Sequence, residues 1–237
     1  APEDGRHLRA HQNFVVPNGI EDAYKAYEDP SGQLSAADKN GSPVAILFVG
    51  VLSRSKGVMT LLRACKRLSE NSVSFTVRLM GRFESEAFEQ EVNRYLERHG
   101  LKKHVTFLGV LSGREKWSAF AKADVFCFPS HYESETFGLV LVEAFCFGLP
   151  VVATQWRGIP SVVGEDGECG FLVQPEDPDA VADRLERLVC DSALRGEMGA
   201  RARERYLEHF TTQQFQENIG SVFREVVTIN DNTYNKN

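Results

Sequence analysis

Two acids stand eight residues apart in "PSHYESETFGLVLVEAFCFGLP" (129–150), and a glycine lies between them. Glu143 sits inside an almost wholly apolar run, where an ionised carboxylate is rarely buried unless something pairs with it. Either it reaches water at the edge of a packed helix, or it meets a partner from outside the chain. Gly138 opens that helix, so the first free amides are those of Gly138, Leu139 and Val140, an end that binds phosphate readily. A glycine there also lets a ligand come close to the backbone. Glu143 lies five residues on, roughly 7–8 Å along the axis, where a carboxylate accepts two hydrogen bonds from a vicinal diol such as a ribose. Glu135, still in the loop, lies on the other side of a bound diphosphate. There it would accept from a second sugar or stabilise positive charge developing on it. A second segment, "VLSRSKG" (51–57), sets Arg54 and Lys56 at a helix start, where the helix dipole disfavours cations. They read either as solvated loop charges or as a clamp on a polyanion.

These residues need elements to hold them. "VAILFVG" (44–50), "VSFTVRLMG" (73–81), "HVTFLG" (104–109), "DVFCFPS" (124–130), "PVVAT" (150–154) and "GFLV" (170–173) read as strands, the first of them buried on both faces. Helical spacing predicts helices over 57–70, 86–100, 113–122, 138–147, about 179–190 and 193–208, and one ending near 228. Ser112 with Glu115 and Thr211 with Gln214 match capping boxes, and Asp177-Pro178 matches a helix cap. Strand and helix alternate with short crossovers. The fold class is therefore α/β, a Rossmann-like parallel sheet of about six strands flanked by helices. Ligands bind such sheets beyond the carboxyl ends of the strands, at 51–56, 81–84, 109–112, 129–138 and 155–159.

The 237 residues carry a formal charge of −6 and no basic stripe, which argues against nucleic acid as a partner. Five scattered cysteines without CxxC spacing read as reduced thiols of a cytoplasmic protein. No apolar run reaches the length of a bilayer span, and the start shows no signal-peptide pattern. The triplet Asp177-Pro178-Asp179 formally matches a metal-binding DxD, but a cap explains it better, and no cluster has metal-ligand spacing. His131 reads as an exposed loop histidine, and Trp117 and Phe120 as core packing. No G-x-S-x-G, P-loop or G-x-G-x-x-G motif occurs.

The stretch 129–154 resembles the retaining family-4 glycosyltransferases, with their Glu-x7-Glu motif E-x-F-G-L-x-x-x-E-A…G-x-P-V-V. Glu135, Phe137, Gly138, Leu139, Glu143, Ala144, Gly148, Pro150, Val151 and Val152 all match. "FVVPNGI", "FVGVLSRSKG", "RLMG", "VTFLG", "ADVFCFPS" and "GIPSVVGEDGECGFLV" look like further landmarks in family order, covering about 14 to 225. The resemblance implies the C-terminal half of a GT-B fold, two Rossmann-like domains facing across a cleft. It divides the chain into linker and partial N-terminal segment (1–42), a nucleotide-sugar-binding domain with C-terminal helices (43–228) and a disordered tail (229–237).

Carried over by position, Lys56 contacts the diphosphate and the amides of Phe137 to Val140 cradle it, with Gly50 and Thr136 beside them. Glu143 binds the ribose and Glu135 the transferred sugar; Glu135 and Lys56 are the catalytic candidates. Gly81, Arg82, Leu108, Gly109, Val110 and Leu111 flank the base. The donor implied is UDP- or GDP-linked, with no metal and no other cofactor. The partners implied are an N-terminal acceptor-binding half and, through that half, a peripheral membrane contact. Two positions depart from the pattern. Val51 stands where the family has Arg, a place Arg54 would have to fill. Arg157-Gly158-Ile159-Pro160-Ser161 replaces Gly-Gly-x-Pro-Glu, so Arg157 is either a further contact or a solvated charge. Only 43 residues precede the first strand, too few for a Rossmann-type half. The expectation is hexosyl transfer; the alternative is a non-catalytic nucleotide-sugar-binding module, inactive without its other half.

Overall fold

The computed structural model describes residues 14–27 and 42–234. A short helix, α1 (Ala23–Ala26), precedes a regular alternation: β1 (Val44–Val49), α2 (Val58–Glu70), β2 (Phe75–Met80), α3 (Glu86–Arg98), β3 (Val105–Gly109), α4 (Gly113–Ala121), β4 (Val125–Phe128), α5 (Leu139–Cys146) and β5 (Val151–Thr154). Then come α6 (Ile159–Val163), β6 (Gly170–Val173), α7 (Pro178–Cys190), α8 (Ser192–His209) and α9 (Thr212–Tyr234).

All six strands run parallel in the order β3-β2-β1-β4-β5-β6. The chain winds outward from β1 to one edge and then returns to β4 to wind toward the other. The reversal lies between β1 and β4, and ligands bind beside the strand ends at such a switch point. The central strands are apolar on both faces because helices cover both. Ile46, Leu47 and Phe48 of β1 and Val125, Phe126 and Cys127 of β4 are completely buried. Edge strand β3 has only its first residue buried.

The expected elements are present, and the differences have local causes. Ser112 starts α4, but its side chain makes no cap bond, so that capping box does not form. Asp177 caps α7 as read, accepting from the Ala180 amide at 2.9 Å, and Thr211 accepts from the Gln214 amide at 3.2 Å. The helices α1 and α6, of four and five residues, were not foreseen; both are too short to show a helical period. The backbone of α9 continues to Tyr234, beyond the expected end near 228, so the stretch read as a disordered tail begins helical. Residues 235–237 and much of the segment read as linker lie outside the described residues.

The described part of that linker is strapped to the domain. Ile20 bridges to Thr211, its amide donates to Phe210 O, and its carbonyl accepts from the Thr212 amide and the Tyr206 hydroxyl. Arg203 of α8 holds Asp22 with two bonds, at 3.0 and 2.7 Å. Four cysteines are buried and Cys190 is exposed; all five are free thiols.

Candidate functional site

Lys56 ends the loop after β1, and Glu135 lies in the loop after β4. Because β1 and β4 are neighbours, residues 79 apart in sequence meet at the switch point. Close packing of the loops brings them into register. Gly57 has φ 81°, and a Cβ there would lie 2.0 Å from Pro129 O, so only glycine lets α2 start against the 129–135 loop. The Lys56 ammonium then bonds Glu135 Oε2 at 2.6 Å, and the Ser130 hydroxyl donates to the same oxygen at 3.2 Å. The ammonium also sits 4.3 Å from the Tyr132 ring centre. Glu135 and Ser130 are buried.

Gly138 turns the chain from this loop into α5 through a left-handed conformation, φ 76°. No side-chain bond caps the helix, so its first amides remain without a side-chain acceptor. Leu139, next in the chain, is 47% exposed, which leaves this end of the helix open at the surface. Phe137 turns away and packs edge-on against Phe210.

The second acid has a partner in the chain that the sequence reading did not name. The Glu143 side chain is 14% exposed, and Oε1 accepts from the Lys116 ammonium at 2.5 Å. Its other oxygen, Oε2, is buried without a hydrogen-bond partner. Burial pushes the Glu143 carboxyl above its ordinary value of 4.5, although the bond from Lys116 and its charge pull the other way. Lys116 comes from α4, 27 residues away.

Beyond this pair lies an open hollow of about 440 Å³. Gly50, Val51, Gly81, Arg82, Val110 and Leu111 line it, and Lys116 forms part of its wall. The structure thus gathers five of the predicted base-flanking and strand-end residues into one apolar groove with two cations. Val51 and Val110 are 40% and 72% exposed, so the groove presents apolar surface to solvent. Leu108 packs against the core instead, and the Gly109 carbonyl accepts from the Gly81 amide at 2.8 Å.

Arg54 is placed elsewhere. Its guanidinium pairs with Glu91 on α3 and stacks over Phe88, so it faces α3 and not Lys56. His131 is not the exposed loop residue expected: its side chain is 20% exposed, its Nδ1 is buried without a hydrogen-bond partner, its Nε2 lies 3.9 Å from Glu176 Oε1, and its amide donates to Ser55 O. Arg157 lies over the Trp156 ring with φ 49°. Trp117 and Phe120 pack in the aromatic cluster with Phe147. Asp179 pairs with Arg67. Among the described residues no group of His, Cys, Asp and Glu is arranged to hold a metal ion, and no helix is long and apolar enough to cross a membrane.

Sequence reasoning missed Lys116, Ser130 and Tyr132. Ser130 and Tyr132 lie within five residues of Glu135 and were legible as neighbours. Nothing in the local pattern joins Lys116 to Glu143.

Residues 34–205 match the family model for glycosyl transferases group 1. Over 185 residues the chain is 36% identical to D-inositol 3-phosphate glycosyltransferase of Corynebacterium diphtheriae, covering 77% of this chain and 42% of that protein. Among solved structures it is similar to Anabaena Alr3699/HepE in complex with UDP-glucose. There the TM-score is 0.72 at 26% identity, over 90% of this chain and 58% of that one. The C-terminal domain of a group 1 family glycosyl transferase, LpcC from Francisella tularensis, shares the fold with TM-score 0.70 at 23% identity, over 82% of this chain and 100% of that one. The chain spans about half the length of the curated relatives it matches.

Proposed function

The chain belongs to the glycosyl transferases group 1 family, and on that premise we propose that it is the donor-binding half of a retaining, family-4 type hexosyltransferase. Its donor is a nucleoside-diphosphate sugar, UDP- or GDP-linked, and its acceptor a glycan or a lipid-linked sugar. The observation that carries this reading is the Lys56–Glu135 pair at 2.6 Å beside the uncapped start of α5. A cation, a carboxylate and open amides converge where the strand order reverses.

With a donor in place the pair separates its duties. Lys56 turns to the diphosphate together with the amides around Gly138, where negative charge grows as the sugar–phosphate bond breaks. Glu135 faces the sugar, whose anomeric carbon gains positive character, and Ser130 keeps the carboxylate oriented. Glu143 takes the ribose hydroxyls, and the groove along Gly50, Gly81, Val110 and Leu111 takes the base. The charge is met by Lys56 and the helix start, so the reading asks for no metal. The solved neighbour holding UDP-glucose supports a nucleotide-linked donor. In this reading a second, N-terminal half binds the acceptor and makes any membrane contact, and the protein works in the cytoplasm.

Glu135→Ala in the full-length parent enzyme tests it. Transfer is expected to fall by about 100-fold or more, while the Kd for UDP stays within about threefold. Unchanged transfer refutes the role of Glu135.

One observation favours a second reading, a module that binds nucleotide sugar without catalysis. Val51 stands where the family has Arg, and Arg54 is engaged with Glu91, so Lys56 faces the diphosphate alone. UDP binding by a full-length parent that transfers no sugar to any acceptor supports that reading.

A further inference from the structure

Lys116 takes part in two structures at once. It is the partner of Glu143, and it is a wall of the groove in which the proposed reading places the base. An ammonium has three N–H donors and no acceptor. One donor is spent on Glu143 Oε1. The head lies 4.8 Å from the Trp117 ring centre, and the side chain is 23% exposed, so it is held from two sides and still reaches the groove.

Its place along the site decides what it meets. Glu143 lies in the second turn of α5, whereas Lys56 pairs with Glu135 in the loop before that helix. A ligand lying from Lys56 toward Lys116 has its diphosphate at the first and its base at the second. The other side chains lining the groove are apolar apart from Arg82, which is also donor-only. Its charged side chains can therefore bond a carbonyl oxygen but cannot accept from an exocyclic amine.

The geometry points to Lys116 as a base-reading residue: fixed by Glu143, its ammonium donates to a keto oxygen of the nucleobase and so selects uracil or guanine over adenine. This rests on the proposal that the groove binds a nucleoside diphosphate. It adds a specificity determinant on α4 that lies outside the Glu-x7-Glu stretch.

Calorimetric titration of the 237-residue chain with UDP, GDP and ADP tests it, using the wild type, Lys116→Met and Lys116→Arg. The wild type is expected to bind UDP or GDP at least about tenfold more tightly than ADP, the effect of one charge-assisted hydrogen bond. Lys116→Met is expected to bring the better of UDP and GDP to within about threefold of ADP, and Lys116→Arg, which keeps the donors, to retain most of the preference. The ratio between nucleotides is the readout. Losing the ammonium also leaves Glu143 unpaired, which weakens the grip on every ribose equally and cancels in the ratio. Thermal melting of each variant checks that it is folded. Equal weakening of all three nucleotides by Lys116→Met overturns the inference and leaves the donor site standing, as does a preference that survives the substitution. No binding of any nucleotide by the folded wild type overturns both.

Discussion

Two carboxylate–cation pairs pack against α5, and they are built differently. At its C-terminal end, Asp22 is saturated. Asp22 receives two bonds from Arg203, one from the Lys25 amide and a weak one from the Cys146 thiol, and Arg203 also donates to Cys146 O. Burial pushes the Asp22 carboxyl up, but the bonds from Arg203 and Lys25 and the Arg203 charge outweigh it and hold it below its ordinary 3.8. Near the groove, Glu143 has one lysine bond and one orphaned oxygen, and burial prevails over Lys116 to raise it above 4.5. A buried charge is tolerated when its bonding capacity is filled. The Asp22 pair meets that condition and holds the linker to the domain. The Glu143 pair leaves one carboxylate oxygen unfilled.

The largest effect is expected from breaking the saturated pair. Arg203→Ala leaves the half-buried Asp22 with only Lys25 and Cys146 beside it and is expected to cost on the order of 2 kcal/mol in urea unfolding. That is below the ~3–5 kcal/mol of a fully buried pair, because both side chains keep nearly a fifth of their surface exposed, 19% and 18%. UDP affinity should stay within about twofold. A comparable loss of UDP affinity would show that the two pairs are coupled and the contrast false.

Glu143→Gln should do the reverse. Stability changes by less than about 1 kcal/mol, because the variant removes a carboxylate that burial already disfavours. UDP affinity falls about tenfold as the ionised acceptor of the ribose hydroxyls is lost. If stability drops as far as in Arg203→Ala, the Glu143 pair is structural after all.

The smallest effect lies in the pH dependence, and the two acids give opposite signs. Glu143 binds its proton more tightly folded than unfolded. Its contribution therefore favours the fold at low pH and is lost as pH rises from about 4.5 through its higher folded value. Asp22 binds its proton less tightly folded; its contribution is present above 3.8 and is lost as pH falls through its lower folded value. Urea midpoints measured from pH 3 to 7 should show Glu143→Gln gaining on the wild type as pH rises through that upper window. A Glu143→Gln variant that instead loses ground to the wild type as pH rises would reverse the assignment for Glu143.

Much of the fold and part of the site could be read without coordinates. The strands from β1 to β6 each end near a glycine or a turn residue, and the helices between them repeat at helical spacing, so the parallel alternation was legible. Asp177 was legible as a cap because Pro178 follows it. Ser112 was equally well placed by type, yet its hydroxyl does not turn to the helix. Type and spacing do not choose a rotamer. The short helices α1 and α6 lack the length over which a period can be seen.

The chain by itself determined where the candidate site lies: alternating patterns dictate a wound parallel sheet, and Gly138 between Glu135 and Glu143 marks one strand end as the exceptional one. What only the folded molecule decided is who neutralises each charge. Lys56 meets Glu135 because β1 lies beside β4, and Lys116 meets Glu143 across a loop, a strand and two helices. Arg54, two residues from Lys56, is carried off to α3. Hydrophobic periodicity acts over a few neighbouring residues and is written locally. Ion pairs form between whichever elements the sheet order makes adjacent, and that adjacency exists only in three dimensions.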